Sequence, residues 1–285
     1  MVRPKQPNQL RLAARMKETR AASGVSGTAF AARLGWQQSR VSKVETGKQI
    51  PTHDDVDAWA DKLQLPADTR AELHELAAAA HSEYQSWLDL FYARGGGAKA
   101  QEAIGSLERA TAVTREFWPT MLPGLLQTEQ YARDAISIPG GPRAWGAGKE
   151  EREKMVAARM TRQAVLQDSG REWHFVIGEA ALWTRFGTVD ALAAQLEHLV
   201  ALMVERDAVD LRVLPLDARL PAFPMATFSI YDDHLVSLEE QAGEHTIVDP
   251  SQVKAYVEQF DLLANAALPH RRSIALIHQV ADRIR

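Results

Sequence analysis

The sequence contains no cysteine in 285 residues, which excludes a disulfide framework and any cysteine-ligated zinc or iron–sulfur site. No apolar run approaches the ~20 residues of a membrane-spanning helix, and the opening MVRPKQPNQL lacks the apolar core of a signal peptide. A cytoplasmic protein with no membrane partner is expected. Motifs for phosphate loops, dinucleotides and serine nucleophiles are missing, and GGGAK at 95–99 reads as a turn. The nine histidines form no HExxH or HxH, and His74 and His81, seven apart on one helix, have no acidic partner at metal-ligand spacing. No cofactor and no enzyme activity are expected. An enzyme would need a site assembled from Glu179, His174 or Arg162, and nothing in their spacing points to one.

What is present is a strong charge asymmetry. The net charge of -4 divides into +8 for residues 1–50, with ten Lys or Arg against two acidic residues, and -12 for the remainder. A basic N-terminal module on an acidic body suits a polyanionic partner at one end only. The stretch Gly24–Leu63 fits that partner. A short amphipathic run, SGTAFAARL, ends at Gly35, and QQSRVSKVETG then forms a second helix that stops at Gly47. Two short helices joined by a Gly-led tight turn have the form of a helix-turn-helix unit. Phe30, Ala31 and Leu34 share one face of the first, and Val41 and Val44 one face of the second. Gln37, Gln38, Ser39, Arg40, Ser42 and Lys43 are left as a surface row suited to base edges and phosphates of duplex DNA. Lys48, just beyond, is a further phosphate contact.

Around this unit the pattern predicts a helix from about Asn8 to Ala22 with Leu12, Met16 and Thr19 facing the core, after a basic arm over residues 1–9. A fourth helix starts at Pro51-Thr52 and buries Val56, Trp59, Ala60 and Leu63. PADTRAELHELAAAAHSEYQSWLDLF reads as one long helix or two short ones, and Arg94–Gly97 as a joint. Helix is expected over Gln101–Thr111, an extended run over Ala112–Trp118, a stiff loop at Pro119–Gly124, helix from about Thr128, a loop at IPGGPRAWGAG, and helix over Lys149–Gln167. After Gly170 the period becomes two. WHFVIGEAAL gives a strand and a short helix, Val189–Arg206 an amphipathic helix, and DLRVLPL, ATFSIYD, LVSLEEQ and EHTIVD four strands. Helices from Asp249-Pro250 and over His270–Ile284 close the chain. The expected fold class is α+β: an all-helical helix-turn-helix domain, then a mixed α/β domain whose small sheet is mostly antiparallel because its strands follow one another by short links. The domains are placed at 1–80 (with a trailing helix), 81–104 (linker helix and Gly-rich turn) and 105–285.

The N-terminal segment resembles the phage-repressor-like, Xre-type helix-turn-helix family. The matching features are Phe30, Ala31, Leu34 and Gly35; Gln38-Ser39, Val41-Ser42, Val44-Glu45 and Gly47; and Pro51 with Trp59-Ala60. The body resembles the uncharacterised domain that accompanies this module in many actinobacterial regulators, through LPGLLQTEQYAR at 122–133, RMTRQ at 159–163, GEAAL at 178–182, QLEHL at 195–199, VLP at 213–215 and Glu239 of SLEE. The first resemblance implies sequence-specific DNA binding. It assigns Gln38, Ser39 and Lys43 to the base-facing side, Ser42 to a phosphate, and Arg20 and Glu45 to an internal ion pair. Many members carry a glutamine where this chain has Gly27, and Thr28 is the candidate to supply a phosphate contact instead. Trp36 stands where a small aliphatic residue is usual. The second resemblance implies an antitoxin-like arrangement in which the body binds a small partner protein.

One module this small contacts few bases, so a homodimer reading half-sites roughly 34 Å apart is expected, with Ala67–Leu90 and Ser251–Ala267 as helices for its interface. In the body, Gln127 and Thr128 either orient a ligand or cap the next helix. Arg159, Arg162 and Gln163 share a helix face, with Glu179 as a possible partner. They form either a ligand or partner site or a salt-bridge network. The expected function is therefore a dimeric, repressor-like transcriptional regulator whose C-terminal domain senses a small protein or a small-molecule effector.

Overall fold

The computed structural model describes residues 7–93, 95–141, 146–206, 208–223, 226–240 and 242–285. The first six residues of the expected basic arm, Arg94 of the expected joint, and 142–145 of the expected loop lie outside them. The chain divides into two compact units, Val2–Tyr84 with Thr246–Asp249, and Gln85–His245 with Pro250–Arg285. No helix among the described residues is long and apolar enough to cross a membrane.

The first unit is a bundle of α1 (Pro7–Ala22), α2 (Gly27–Leu34), α3 (Gln38–Glu45), α4 (His53–Leu63) and α5 (Ala67–His81). Each boundary has a local cause. The Ser26 hydroxyl accepts from Ala29 N–H at 3.2 Å and starts α2. Gly35 ends it at φ 69°, a left-handed conformation that costs glycine little. Thr52 and Asp55 form a reciprocal capping box at the start of α4. Leu12, Met16, Phe30, Val41, Val44, Val56 and Trp59 make the core, with Phe30 edge-on to Trp59 at 4.6 Å. Thr19 faces inward because its hydroxyl accepts the Trp59 indole N–H at 3.2 Å.

The second unit carries a seven-stranded sheet of order β1-β7-β6-β5-β2-β3-β4. Its strands are β1 (Ser82–Ser86), β2 (Val113–Trp118), β3 (Glu172–Gly178), β4 (Val209–Leu214), β5 (Thr227–Tyr231), β6 (Leu235–Glu239) and β7 (Gly243–Ile247). The ends of β1 and β7 belong to the first unit. β2, β3 and β4 pair in parallel, whereas β5 is antiparallel to both β2 and β6. Trp173, Phe175, Ile177, Leu211 and Val213 face a core closed by α11 (Val189–Glu205) and α13 (His270–Ile284). On the opposite face Phe117 meets Phe228 at 5.6 Å, and Phe228 meets Tyr256 of α12 (Pro250–Ala266) at 5.2 Å. The unit is completed by α6 (Trp87–Ala93), α7 (Gly97–Ala110), α8 (Glu129–Ser137), α9 (Lys149–Arg162) and α10 (Glu179–Trp183).

Four expectations are corrected. Ala67–Leu90 is not continuous helix, because Ser82–Ser86 is a strand between α5 and α6, with Val248 N–H bonded to His81 C=O and Trp87 N–H to Ala242 C=O. Helix resumes at Gly97, four residues earlier than expected, and the segment from Lys149 leaves the α-helix at Arg162 for a 3-10 turn over Gln163–Gln167. The short link between β4 and β5 does not form a hairpin. β4 lies at the sheet edge on β3, and β5 crosses back to pair with β2.

Candidate nucleic-acid interface and the polar cluster of the body

On α3, Val41 and Val44 point into the bundle while Gln37, Gln38, Ser39, Ser42 and Lys43 are exposed, as are Thr28 on α2 and Lys48 beyond α3. Gln37 is the N-cap residue with extended backbone, so Gln38 opens the helix. Gln38 and Ser42 also line a recess of about 320 Å³ with Lys17, Gly27 and Thr46. A Cβ added at Gly27 meets nothing within 4 Å, so space does not explain the absence of a larger residue there.

Two ion pairs fix how this face is presented. Arg20 binds Glu45 through two hydrogen bonds, the second from Nη2 to Oε2 at 2.9 Å, and its Nη1 donates to Val25 C=O at 2.6 Å. Both side chains are nearly buried, at 14% and 10% exposure, and the Glu45 hydrogen bond raises the Arg20 pKa further. The pair ties α1 to the last turn of α3 and to the turn before α2. Arg40 of the expected row is ion-paired: Nη2 lies 2.8 and 2.9 Å from the two Asp55 oxygens, and the guanidinium sits 4.1 Å from the Trp36 ring centroid. Trp36 packs on the core near Trp59 and supports Arg40. Asp55 also serves the Thr52 capping box of α4. The two histidines of α5 also have protein partners, His81 with Pro51 C=O and His74 with Asp57.

In the second unit, the turn Gly124–Leu126 is held by three glutamines. Gln127 Nε2 donates to Leu122 C=O at 2.8 Å, Gln163 Nε2 to Gln127 C=O at 2.6 Å and Gly124 C=O at 3.2 Å, and Gln195 Nε2 to Leu126 C=O at 2.7 Å. Gln195 Oε1 accepts Thr128 N–H at 2.6 Å, and the Thr128 hydroxyl caps α8. Arg159 Nη1 donates to Gln127 Oε1 at 2.8 Å, and Arg162 Nε lies 3.3 Å from Glu108 Oε2. Gly124 leaves the room these arginines need, since a Cβ there would stand 2.8 Å from Arg162 Nη2; Gly105 on α7 does the same for the Arg162 stem.

Around them lie carboxyls that burial disfavours as anions. Glu108, 1% exposed, has its pKa raised by burial against the pull of Arg162. Burial and the neighbouring Glu108 push Glu116 on β2 up to about 8, opposed by a 2.7 Å hydrogen bond from the Trp118 indole. Burial, then the Glu244 charge, takes Glu239 on β6 to about 7. Arg159 falls to about 10 through burial and the charge of Arg162. Glu179 is not part of this cluster. Its Oε2 accepts Leu216 N–H at 3.0 Å and its Oε1 lies 3.4 Å from the Trp183 indole nitrogen, because it sits at the end of β3 where backbone donors face it. Glu108 takes the role expected for Glu179. Neither Glu108 nor Glu116 is marked by any sequence motif.

Residues 101–279 match the family model described as Domain of unknown function (DUF5753). The chain belongs to this family. Its DUF5753 segment starts within α7 and ends within α13, and so contains every member of the cluster from Glu108 to Glu239. Residues 11–73 match a model described as Helix-turn-helix domain, which holds the α3 row and the Arg20–Glu45 pair and gives the DUF5753 chain a DNA-binding, regulatory role in general terms. No curated protein and no solved structure matches the chain.

Proposed function

We propose that the chain is a sequence-specific transcriptional regulator that binds duplex DNA as a homodimer in the cytoplasm, with α3 in the major groove. The observation that carries this reading is the exposed row Gln38, Ser39, Ser42 and Lys43 on a helix whose other face is packed and whose ends are tied by ion pairs. Gln38, Ser39 and Lys43 read base edges, while Ser42, Thr28 and Lys48 hold phosphates. Residues 1–80 are the reading domain and 105–285 a regulatory domain, to which the strand and helices of the expected linker, 81–104, contribute. Its effector is a small partner protein, antitoxin-like, in preference to a metabolite, and the groups it acts on lie around Gln127, Arg159, Arg162 and Gln163. An effector that prefers one dimer geometry by about 1–3 kcal/mol changes DNA affinity about 5–150-fold.

The test separates the two kinds of contact. Gln38→Ala is expected to relax specificity at one or two base pairs by about 1–3 kcal/mol, and Lys48→Ala to weaken all duplexes alike and lower the salt slope. Equal losses on every duplex for both variants would reject the base-reading role of α3. Light scattering on free and DNA-bound protein tests the dimer, which a monomer in both states would rule out. Operator affinity with and without co-purified partner or cell-extract metabolites tests the regulatory domain; no change in any case would leave it a scaffold.

A further inference from the structure

A second polar site lies on the sheet face opposite the α11–α13 core. Arg115 on β2 is in register with His174 on β3, and His174 with Asp210 on β4, so three adjacent strands place a cation, an imidazole and a carboxylate in one row. Asp210 is shared: Oδ2 lies 3.6 Å from His174 Nδ1 and 2.9 Å from Arg212 Nη2. Arg212 Nη1 also donates to Ala264 C=O at 3.3 Å and thereby anchors β4 to the last turns of α12. Between the row and Phe260, Asp261, Ala264 and Asn265 of α12 the structure leaves a cleft of about 360 Å³. Val176 and Phe260, both buried, form its apolar floor.

We propose that this cleft binds a small anionic metabolite through a carboxylate or phosphate group held by Arg115, His174 and Arg212. His174 and Arg212 share Asp210, the one carboxylate of the row. The other acidic neighbours of these groups are Asp233, 3.1 Å from Arg115, and Glu172, 3.3 Å from His174, which are 68% and 69% exposed and stand at the rim in water. Rim pairs of this kind contribute little and are displaced easily. Asp261 is the remaining acidic group of the lining and faces the cleft from α12. Among the groups that line the cleft, Arg115, Arg212 and a protonated His174 outnumber Asp210 and Asp261, and a bidentate guanidinium–anion contact is favoured there. Asp210, through its contact with His174 and then Arg212, is held near 2, and the same contact raises the His174 pKa against burial. Imidazolium is therefore favoured as pH falls. The volume is at the low end for ligand clefts, about 300–1,000 Å³, which fits a ligand the size of an amino acid or sugar phosphate. This site is distinct from the Arg159–Arg162 cluster, and its occupancy does not depend on the DNA-binding reading.

The test is calorimetric titration of the full chain at pH 6 with inorganic phosphate and, separately, with succinate, at ionic strength matched by sodium chloride. At least one probe is expected to bind saturably at one site per chain, and the stronger of the two identifies the headgroup. Arg115→Gln should weaken that binding at least tenfold while near-ultraviolet circular dichroism stays unchanged, and wild-type binding should weaken between pH 6 and pH 8. Lys43→Ala should leave it intact. No saturable heat from either probe, binding unaffected by Arg115→Gln, or binding lost in Lys43→Ala would each overturn the proposal. DNA binding by the same preparations is a separate readout, and its failure would not alter this result.

Discussion

Replacing Arg162 by methionine isolates the electrostatics of the buried cluster. Methionine keeps an unbranched stem beside Gly105, so the packing there is retained, while the guanidinium nitrogen beside Gly124 is removed. What disappears is the cation 3.3 Å from a Glu108 carboxylate that is only 1% exposed. Breaking a buried pair at one end costs about 3–5 kcal/mol, because the remaining charge has neither water nor partner. Glu108 limits that cost by taking up a proton, which becomes harder as pH rises, at about 1.4 kcal/mol per pH unit. The destabilisation of Arg162→Met should therefore be larger at pH 8 than at pH 6. Glu108→Gln in the same background should recover part of it, with a coupling of about 0.5–3 kcal/mol in the double-mutant cycle. Urea unfolding at both pH values, followed by tryptophan fluorescence, measures all of this. A loss under about 1 kcal/mol that is the same at both pH values would refute the reasoning.

Other outcomes follow from the same geometry. Glu45→Gln should cost about 1–3 kcal/mol by removing the charge from a nearly buried bidentate pair, and should also weaken DNA binding because α3 loses its tie to α1; unchanged thermal unfolding would contradict it. Gly124→Ala should destabilise by about 1–3 kcal/mol through overpacking against Arg162, measurable by the same urea titration. Glu116 and Glu239 bind protons more tightly folded than unfolded. The stability these two groups contribute should thus be fully present below about pH 4.5 and be lost as pH rises to about 7 for Glu239 and about 8 for Glu116. Glu116→Gln should flatten that slope, and a wild-type slope retained in the variant would assign it elsewhere.

The helix-turn-helix unit was legible in the sequence because its determinants are local. The spacing of Phe30, Ala31, Val41 and Val44, the Gly35 turn and the Ser26 and Thr52 caps lie within a few residues of the elements they define. The ion pair of Arg40 was not legible because its partner, Asp55, is fifteen residues away and reaches it only after α4 packs. β1 was read as helix because SEYQS follows AELHELAAAAH, and only pairing with a segment 160 residues downstream makes it a strand. The parallel β2–β3–β4 set was missed for a related reason. Its crossovers run through α8 to α11, and of the links after β4 those joining β5, β6 and β7 connect neighbouring strands, whereas the one from β4 to β5 does not. In the body, Arg159, Arg162 and Gln163 stood out on one helix face, yet Glu108 and Glu116 became visible only once α7 and β2 were placed beside α9. The aligned row Arg115, His174 and Asp210 depends wholly on strand register and has no linear signature.

The central claim, that α3 reads sequence, is tested most directly by selecting duplexes for the full protein from a random pool. The affinity of the selected and scrambled duplexes is then compared across a salt series. Base reading by α3 in a dimer predicts enrichment of a two-fold symmetric site with half-sites roughly 34 Å apart and binding at least about 10³-fold tighter than to the scrambled duplex at physiological salt. It also predicts that Gln38→Ala loses base preference within each half-site. No enriched motif, with equal affinity for all duplexes at every salt concentration, would contradict it.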